Sequence, residues 1–288
     1  MKKLSKYSFV FLLAGVYFLS ACKEKKEINN KERMSKTGLV EKPGYNFSQV
    51  EKRDMKKKLQ EISGIHYVKD DLFVAIDDED GIIFTVDFAT GKIVQEHEFA
   101  SNGDYEDITM DADFYYVLTS KGSIYKVSRE ASTAKSSVYN FDVDIGSEFE
   151  SLYLDSSGEN LLLICKSCRQ IKNNTINVYS FNLKNLRFSK SPAYSIDLGT
   201  LHKGNKRLEL KPSAAAIHPI EQKLYVLCSI GNTLLICDLQ GNIENSFLLN
   251  VDLFPQPEGI AFTPNGDMFI SNESKKNANI LKLAYRSL

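Results

Sequence analysis

Features that mark several common functional classes are missing from this sequence. Lys and Arg together number 36, Asp and Glu number 37, and the formal net charge is −1. Because binding to a nucleic-acid backbone requires a basic excess, we expect no nucleic-acid partner. No long stretch has the 3.6-residue apolar period of a helical enzyme scaffold. The chain also lacks a Gly-rich phosphate loop and a nucleophile motif with a histidine nearby.

Cysteine is scarce, with five residues in the chain. Cys165 and Cys168 form a lone CxxC motif. A redox role there would need a following helix, and a zinc site would need two further ligands nearby. Cys228 and Cys237 flank a predicted hairpin turn, where they form either a disulfide or two buried thiols. The sequence does not decide between bridged and free cysteines in either pair.

The apolar run near the N-terminus is too short for a transmembrane helix. It covers Phe9 to Leu19, whereas a spanning helix needs about 20 residues to cross roughly 30 Å of hydrocarbon. Three lysines precede the run, and small residues lead from it to Cys22. This order is typical of a bacterial lipoprotein signal. We therefore predict a signal peptide over residues 1–21 and lipidation at Cys22.

Three regions follow from this prediction. Residues 22–44 are rich in Lys, Glu and Asn and poor in apolar side chains, so we expect a flexible tether. Residues 45–288 remain as one globular domain, expected to be a monomer. Loss of residues 1–21 removes three lysines and no acid, which leaves a mature net charge of −4. The lipid would hold the protein in the cell envelope at the outer membrane, on a side that the sequence leaves open.

A short polar motif that leads into an apolar strand recurs five times. The copies are Ser63-Gly64-Ile65-His66, Glu106-Asp107-Ile108-Thr109, Glu150-Ser151-Leu152-Tyr153, Ser213-Ala214-Ala215-Ala216 and Glu258-Gly259-Ile260-Ala261. Their spacings are 43, 44, 63 and 45 residues, and a period in the forties is typical of four-stranded propeller blades. The long interval contains polar insertions at Ser167 to Thr175 and near Gly199 to Arg207.

Each period divides into strands separated by turn residues. In the first period the predicted strands are Ile65 to Val68, Leu72 to Ile76, Ile82 to Asp87 and Ile93 to Phe99. The last period has room for only three strands before the chain ends, which would leave an open sheet edge. We expect Tyr45 to Arg53 to fill that edge. The predicted fold is therefore an all-β, single five-bladed propeller closed by an N-terminal strand, with six blades as the alternative if an insertion supplies strands.

The predicted functional site lies at one mouth of the central channel. First strands line the channel, so the motif residues form one ring: Ser63, Glu106, Glu150, Ser213 and Glu258. Aligned ends of the second strands give another ring: Asp77, Ser120, Lys166, Ser229 and Glu273. Crowded carboxylates repel one another unless a hard cation, a lysine or protons join them. We predict a calcium ion held by Asp77, Glu106, Glu150, Glu258 and Glu273.

Two other roles for the motif glutamates stay open. They could accept hydrogen bonds from backbone N–H groups of neighbouring blades and so lock the ring. They could also include a catalytic pair of carboxylates, because clusters with perturbed pKa values often mark functional sites.

The motifs and their flanking residues resemble the successive signatures of the SdiA-regulated family. The matching segments are Glu61-Ile62-Ser63-Gly64-Ile65, Tyr105-Glu106-Asp107-Ile108, Phe149-Glu150-Ser151-Leu152, Lys211-Pro212-Ser213-Ala214 and Gln256-Pro257-Glu258-Gly259-Ile260-Ala261-Phe262. The resemblance runs from about Leu59 to the C-terminus and keeps the order of the motifs. It implies a secreted or membrane-attached propeller of the NHL and TolB type, in some members with a calcium ion, and no established reaction.

Two functional classes follow. The first is a non-catalytic, lipid-tethered binding module that holds a small molecule, a glycan or a protein partner at the channel mouth. The second is a calcium-dependent hydrolase of the lactonase or phosphoesterase type. We favour the first, because a polyphosphate substrate would require several cations at the mouth and only Lys166 lies in the predicted rings.

Overall fold

Short runs of β-branched and aromatic residues, bounded by Gly, Asn and Asp, form strands throughout the described part of the chain. The structure, a computed structural model, describes residues 44–130, 136–142, 146, 148–168, 174–203, 206–207, 209–274 and 278–286. The chain divides into Met1–Val40 and Glu41–Leu288. The predicted signal peptide, Cys22 and the tether up to residue 43 lie outside the described residues. Within the described ranges, no helix is long and apolar enough to cross a membrane.

The first described strand, β1 (Tyr45–Asp54), precedes a short 3₁₀ turn at Lys57–Leu59. Two four-stranded antiparallel blades follow it. Blade 1 consists of β2 (Ile62–Lys69), β3 (Leu72–Asp77), β4 (Ile82–Asp87) and β5 (Lys92–Glu98). Blade 2 consists of β6 (Tyr105–Met110), β7 (Phe114–Thr119), β8 (Ile124–Ser128) and β9 (Ser136–Tyr139).

Blade 3 has an interrupted outer strand. Its strands are β10 (Glu148–Leu154), β11 (Asn160–Ser167), β12 (Thr175–Asn182), β13 (Arg187–Phe188) and β14 (Tyr194–Asp197). Both β13 and β14 pair with β12, one at each end, so together they occupy the fourth position. A 3₁₀ turn at Leu198–Thr200 and the small hairpin of β15 (His202–Lys203) and β16 (Lys206–Arg207) follow. The second insertion therefore adds a hairpin and no further blade.

The last two blades complete the ring. Blade 4 consists of β17 (Lys211–Ile217), β18 (Leu224–Ile230), β19 (Thr233–Cys237) and β20 (Ile243–Leu248). Blade 5 consists of β21 (Pro257–Phe262), β22 (Met268–Asn272), β23 (Asn279–Tyr285) and, as its outer strand, β1. First strands of neighbouring blades lie side by side in the order β2, β6, β10, β17, β21 and back to β2. The five-bladed prediction is confirmed.

The N-terminal strand closes the ring as predicted. Residues 50–54 of β1 pair antiparallel with residues 279–283 of β23. At the start of β1, the Tyr45 hydroxyl donates to the Gly266 carbonyl at 2.5 Å and lies 2.8 Å from His218 Nε2 on blade 4. Tyr45 therefore joins the N-terminal strand to the loop of blade 5 and to blade 4.

The hydrophobic core is a set of layers between neighbouring blades. Five clusters of buried side chains each combine residues of two adjacent blades. Second strands are buried on both faces, and in β18 every residue from Leu224 to Cys228 is buried. This continuous burial explains why the middle of each second strand is apolar and shows no alternation in the sequence.

Candidate functional site at the channel mouth

Each motif residue lies at a β-bulge in the first strand of its blade. In blade 2, Tyr105 pairs with Thr119 and Asp107 pairs with Leu118, so Glu106 is an extra residue with no partner of its own. The same irregularity falls at residues 63–64, 150, 213 and 258 in the other blades. A bulge redirects a side chain and breaks the pairing locally. The five copies of the motif therefore mark five β-bulges, all at one mouth of the channel.

The bulges also show which residue locks neighbouring blades. Asp107 is buried, and its carboxylate accepts the Ile108 N–H at 2.8 Å and the Leu152 N–H of blade 3 at 2.7 Å. A Cβ at Gly64 of blade 1 would collide with this carboxylate, so the motif position next to it must be glycine. Burial raises the pKa of Asp107 well above its usual range, although the two N–H groups favour the charged form.

The motif glutamates do not perform this locking role. Among the hydrogen bonds of the described residues, none runs from a backbone N–H to the carboxylate of Glu106, Glu150 or Glu258. The interpretation of the glutamates as backbone locks is therefore wrong for the described part of the chain. In blade 2 Asp107, the residue after Glu106, has that role. In blade 4 the Ser213 hydroxyl joins neighbouring blades, because it donates to the Pro257 carbonyl of blade 5 at 2.6 Å.

The second predicted ring needs a correction in blade 1. Ile62 pairs with Asp77 as Tyr105 pairs with Thr119, so the residue equivalent to Ser120 is Asp78. The backbone agrees, since the Asp78 N–H donates to the Glu61 carbonyl. The sequence alignment of the second strands was wrong by one residue in blade 1. A strand that is buried on both faces has no alternation of apolar and polar residues, so the sequence does not fix its register. The run Asp77-Asp78-Glu79-Asp80 was the available signal for Asp78.

The carboxyl groups at the mouth interact across blades. Burial raises the pKa of Glu106 to about 8, with Asp104, Glu258 and Asp78 raising it further and Lys166 opposing them. Burial is also the largest cause of the raised pKa of two neighbouring carboxyl groups. Burial raises the pKa of Glu258 to about 7, opposed by Lys166. Burial also raises the pKa of Asp78 to about 7, and nearby carboxylates, with Asp77 the strongest, add to this.

Asp77 and Glu273 belong to the same acidic region. Asp77 is 8% exposed, and one of its carboxylate oxygens accepts the Glu79 N–H at 3.2 Å. Burial raises its pKa above the ordinary value. The Glu273 carboxylate accepts a hydrogen bond from the Gln256 side chain and interacts electrostatically with Glu258. Both predicted residues are therefore at the mouth, with Asp77 one residue off the ring.

Lys166 is the cation that faces this group. Its ammonium forms an ion pair with one oxygen of Glu150, whose other oxygen is buried and has no hydrogen-bond partner among the described residues. Cys165 and Cys168, on either side of Lys166 in the sequence, form a disulfide. Cys228 and Cys237 are free, buried thiols.

The predicted serines divide between structural and open positions. The Ser63 hydroxyl donates to the Glu61 carbonyl at 3.4 Å, and Ser213 bridges to blade 5 as described above. The Ser120 hydroxyl donates to the Asp104 carboxylate, so it fixes one more acid at the mouth. Ser229 is half-buried at the end of the corresponding strand of blade 4.

The carboxylates do not form a ready-made metal site. In the part of the chain that the structure describes, no three His, Cys, Asp or Glu side chains are grouped closely enough to hold a metal ion. Glu150 is already engaged by Lys166. The calcium ion stays a prediction, and no step of the function proposed below depends on it.

Comparisons with known proteins identify the family. The family description "SdiA-regulated" matches residues 39–276. The chain belongs to the SdiA-regulated family. A comparison with curated protein sequences gave no match. The resemblance carried by the five motifs is confirmed.

Solved structures with a similar fold include three proteins that are each 12% identical to this SdiA-regulated chain. Glutaminyl cyclase of Myxococcus xanthus has a TM-score of 0.54 and covers 82% of this chain and 96% of its own. A luciferin-regenerating enzyme has a TM-score of 0.49, and the match covers 82% of this chain and 95% of that enzyme. Streptogramin B lyase has a TM-score of 0.48, and the match covers 82% of this chain and 97% of the lyase. At this identity the likeness to glutaminyl cyclase shows the propeller fold alone.

Proposed function

We propose that this SdiA-regulated protein is a lipid-anchored, non-catalytic binding module of the cell envelope that holds its ligand at the acidic channel mouth. The observation that supports this most directly is the set of five bulges. Three of the bulged residues are glutamates, and the structural work of joining blades is done by Asp107 and Ser213 instead. A bulge costs pairing, so glutamates kept there without a backbone role fit a ligand-facing role.

The charge of the mouth defines the class of ligand. Glu258 and Asp78 both raise the pKa of Glu106, Glu273 raises those of Glu258 and Asp78, and the opposing Lys166 is paired with Glu150. A positively charged group would relieve this repulsion more than a neutral one would. We therefore expect a cationic group on the ligand: an amine-bearing small molecule, a basic segment of a protein partner or a calcium ion.

The first test is thermal stability of the purified full-length protein with calcium, with chelator and with a polyamine. A ligand that binds the folded state and not the unfolded chain raises the melting temperature. We expect calcium or the polyamine to raise it, and the Glu150→Gln and Glu258→Gln double variant to lose the response while still folding.

Glu244→Gln is the matched control, because Glu244 is exposed on the outer strand of blade 4 and pairs with Lys223. It should respond like the wild type. A wild-type melting curve unchanged by millimolar calcium, chelator and polyamine would contradict the proposal. It would also contradict the predicted calcium ion.

A hydrolase is the second candidate, and one observation favours it. Burial raises the pKa of Glu106 to about 8, with Glu258 adding to the shift, and that of Glu258 to about 7, within the range in which a carboxyl exchanges protons at neutral pH. Such a pair could protonate a leaving group and activate water. Hydrolysis of lactone or phosphoester probes that is lost in both Glu106→Gln and Glu258→Gln would favour this candidate over the binding module.

A further inference from the structure

A second cleft lies at the opposite end of blades 3 and 4 from the acidic mouth. It has a volume of about 370 Å³. Tyr153 lines it from the far end of β10, and Leu224 lines it from the beginning of β18. Tyr194 reaches it from β14, the strand that interrupts the outer edge of blade 3. None of these residues takes part in the function proposed above.

The walls of the cleft are partly apolar and partly polar. Leu162, Ile217, Leu224 and Leu239 supply the apolar surface, and Ser180 and Gln240 add a hydroxyl and an amide. Small-molecule sites of a few hundred Å³ commonly combine an apolar lining with a few polar groups that fix orientation. The cleft has this composition.

Two tyrosine hydroxyls at the cleft leave one donor unused. Tyr153, which is 4% exposed, and the half-buried Tyr194 are hydrogen-bonded to each other through their hydroxyl oxygens. Burial raises the pKa of Tyr153 well above its usual range and that of Tyr194 to about 12, so both keep their protons at neutral pH. Each hydroxyl can donate once, and the pair uses only one of its two protons. Neither hydroxyl bonds to any other residue that the structure describes.

The cleft offers no free charge to a ligand. Its ionisable acid is Asp155, whose carboxylate accepts hydrogen bonds from Ser157, Glu159 and Asn160 within its own turn. Burial acts to raise the pKa of Asp155, but these hydrogen bonds outweigh it and lower the pKa below its ordinary value. No Lys, Arg or His is among the residues that line the cleft in the described part of the chain. A neutral ligand is therefore favoured over an ion.

We propose that this cleft binds a neutral saccharide unit, whose ring packs on the apolar wall and whose oxygen accepts the unused tyrosine proton. A sugar ring combines an apolar face with oxygens that both donate and accept hydrogen bonds. The apolar wall matches the ring face, and the polar lining and the buried donor match the oxygens. The absence of free charge suits a neutral molecule. The site is separate from the acidic mouth and does not depend on the function proposed there.

The test is ligand-observed NMR on the purified full-length protein with neutral hexoses, N-acetylhexosamines and their disaccharides as probes, followed by calorimetry on any probe that binds. We expect at least one probe to bind. The Tyr153→Phe and Tyr194→Phe double variant keeps both rings and removes the donor, so it should bind that probe about fivefold or more weakly, the effect of one lost hydrogen bond. Tyr139→Phe on the outer strand of blade 2 is the control and should bind like the wild type.

Two further results complete the test. A melting curve of the double variant close to that of the wild type supports loss of a contact over loss of the fold. Unchanged binding in the mouth variant Glu258→Gln places the saccharide in the cleft. The proposal is overturned if no neutral saccharide binds the wild type, if the double variant binds as well as the wild type, or if Glu258→Gln abolishes binding.

Discussion

At the scale of single residues, neighbours in one motif have opposite roles. Glu106 is the bulged residue and faces other carboxyl groups, whereas Asp107 next to it is buried and holds two backbone N–H groups of blades 2 and 3. Both are acids, and they differ by one position along the strand. The bulge makes this difference, because it turns one side chain toward the mouth and the next one toward the adjoining blade.

We expect Asp107→Asn to destabilise the propeller by about 1–3 kcal/mol. Asparagine offers one acceptor oxygen where the carboxylate offers two, and its NH₂ group would face a backbone N–H donor. Chemical denaturation measures the change. Asp113→Asn, at an exposed turn of the same blade, is the control and should stay within about 0.5 kcal/mol of the wild type. Equal stability of the two variants would refute the locking role of Asp107.

The glutamates at the mouth predict a stability that falls as the pH rises. The pKa values of Glu106, about 8, and Glu258, about 7, lie above the value of 4.5 for a free side chain. Between these values the folded protein holds more protons than the unfolded chain, so unfolding becomes easier with increasing pH. The contribution is complete below about pH 4.5 and is lost through pH 7 to 8.

Melting temperatures at pH 6.5 and 8.5 measure this effect. Below that window His66 complicates the curve, because burial and Arg129 lower its pKa to about 4. We expect the wild type to melt at a lower temperature at pH 8.5, and Glu106→Gln with Glu258→Gln to reduce the difference. Glu244→Gln should keep it. A double variant with the same pH dependence as the wild type would show that other groups cause it.

At the scale of elements, the N-terminal strand has the largest consequence. It supplies the outer strand of blade 5, and Tyr45 connects it to blade 4 and to the loop before β22. Without β1, the strand β23 would present unpaired N–H and C=O groups along its whole edge. The aromatic rings of Tyr45 and Tyr285, 5.3 Å apart, would also lose their contact.

We expect deletion of residues 34–53 to lower the melting temperature strongly and to promote aggregation through the exposed edge of β23. Deletion of residues 24–43 in the predicted tether removes the same number of residues, keeps β1 and should leave the melting temperature unchanged. Both deletions keep Cys22. If the two deleted proteins melt alike, closure of the ring by β1 is not important for stability.

At the scale of the whole molecule, the predicted lipid anchor decides where the propeller works. We expect Cys22→Ala to abolish acylation and the lipid-dependent partition of the protein into detergent, because a single cysteine carries the predicted attachment. Phase separation in detergent and mass spectrometry of the mature N-terminus measure this. Cys228→Ala, which alters a buried thiol in blade 4, should partition like the wild type. Unchanged partition of Cys22→Ala would contradict lipidation there.

The sequence by itself favoured five blades and indicated how the ring closes. Five motifs, with three of their four spacings between 43 and 45 residues, indicate five similar sheets, and a last period with only three strands indicates a donor strand, for which Tyr45 to Arg53 was the candidate. Both conclusions rest on local patterns and on the cost of an open sheet edge. Local patterns can be recognised in the sequence without knowledge of contacts between distant residues.

Tertiary structure decided which side chains meet. Asp78 replaces Asp77 in the ring because strand register depends on pairing, which apolar strands buried on both faces do not specify. Asp107 and not Glu106 locks the blades because a bulge redirects the chain by one residue. The disulfide of Cys165 and Cys168 depends on the backbone geometry at the end of β11. The cleft at Tyr153 and Tyr194 depends on distances between strands. Such distances arise only when the blades pack, so no pattern along the chain contains them.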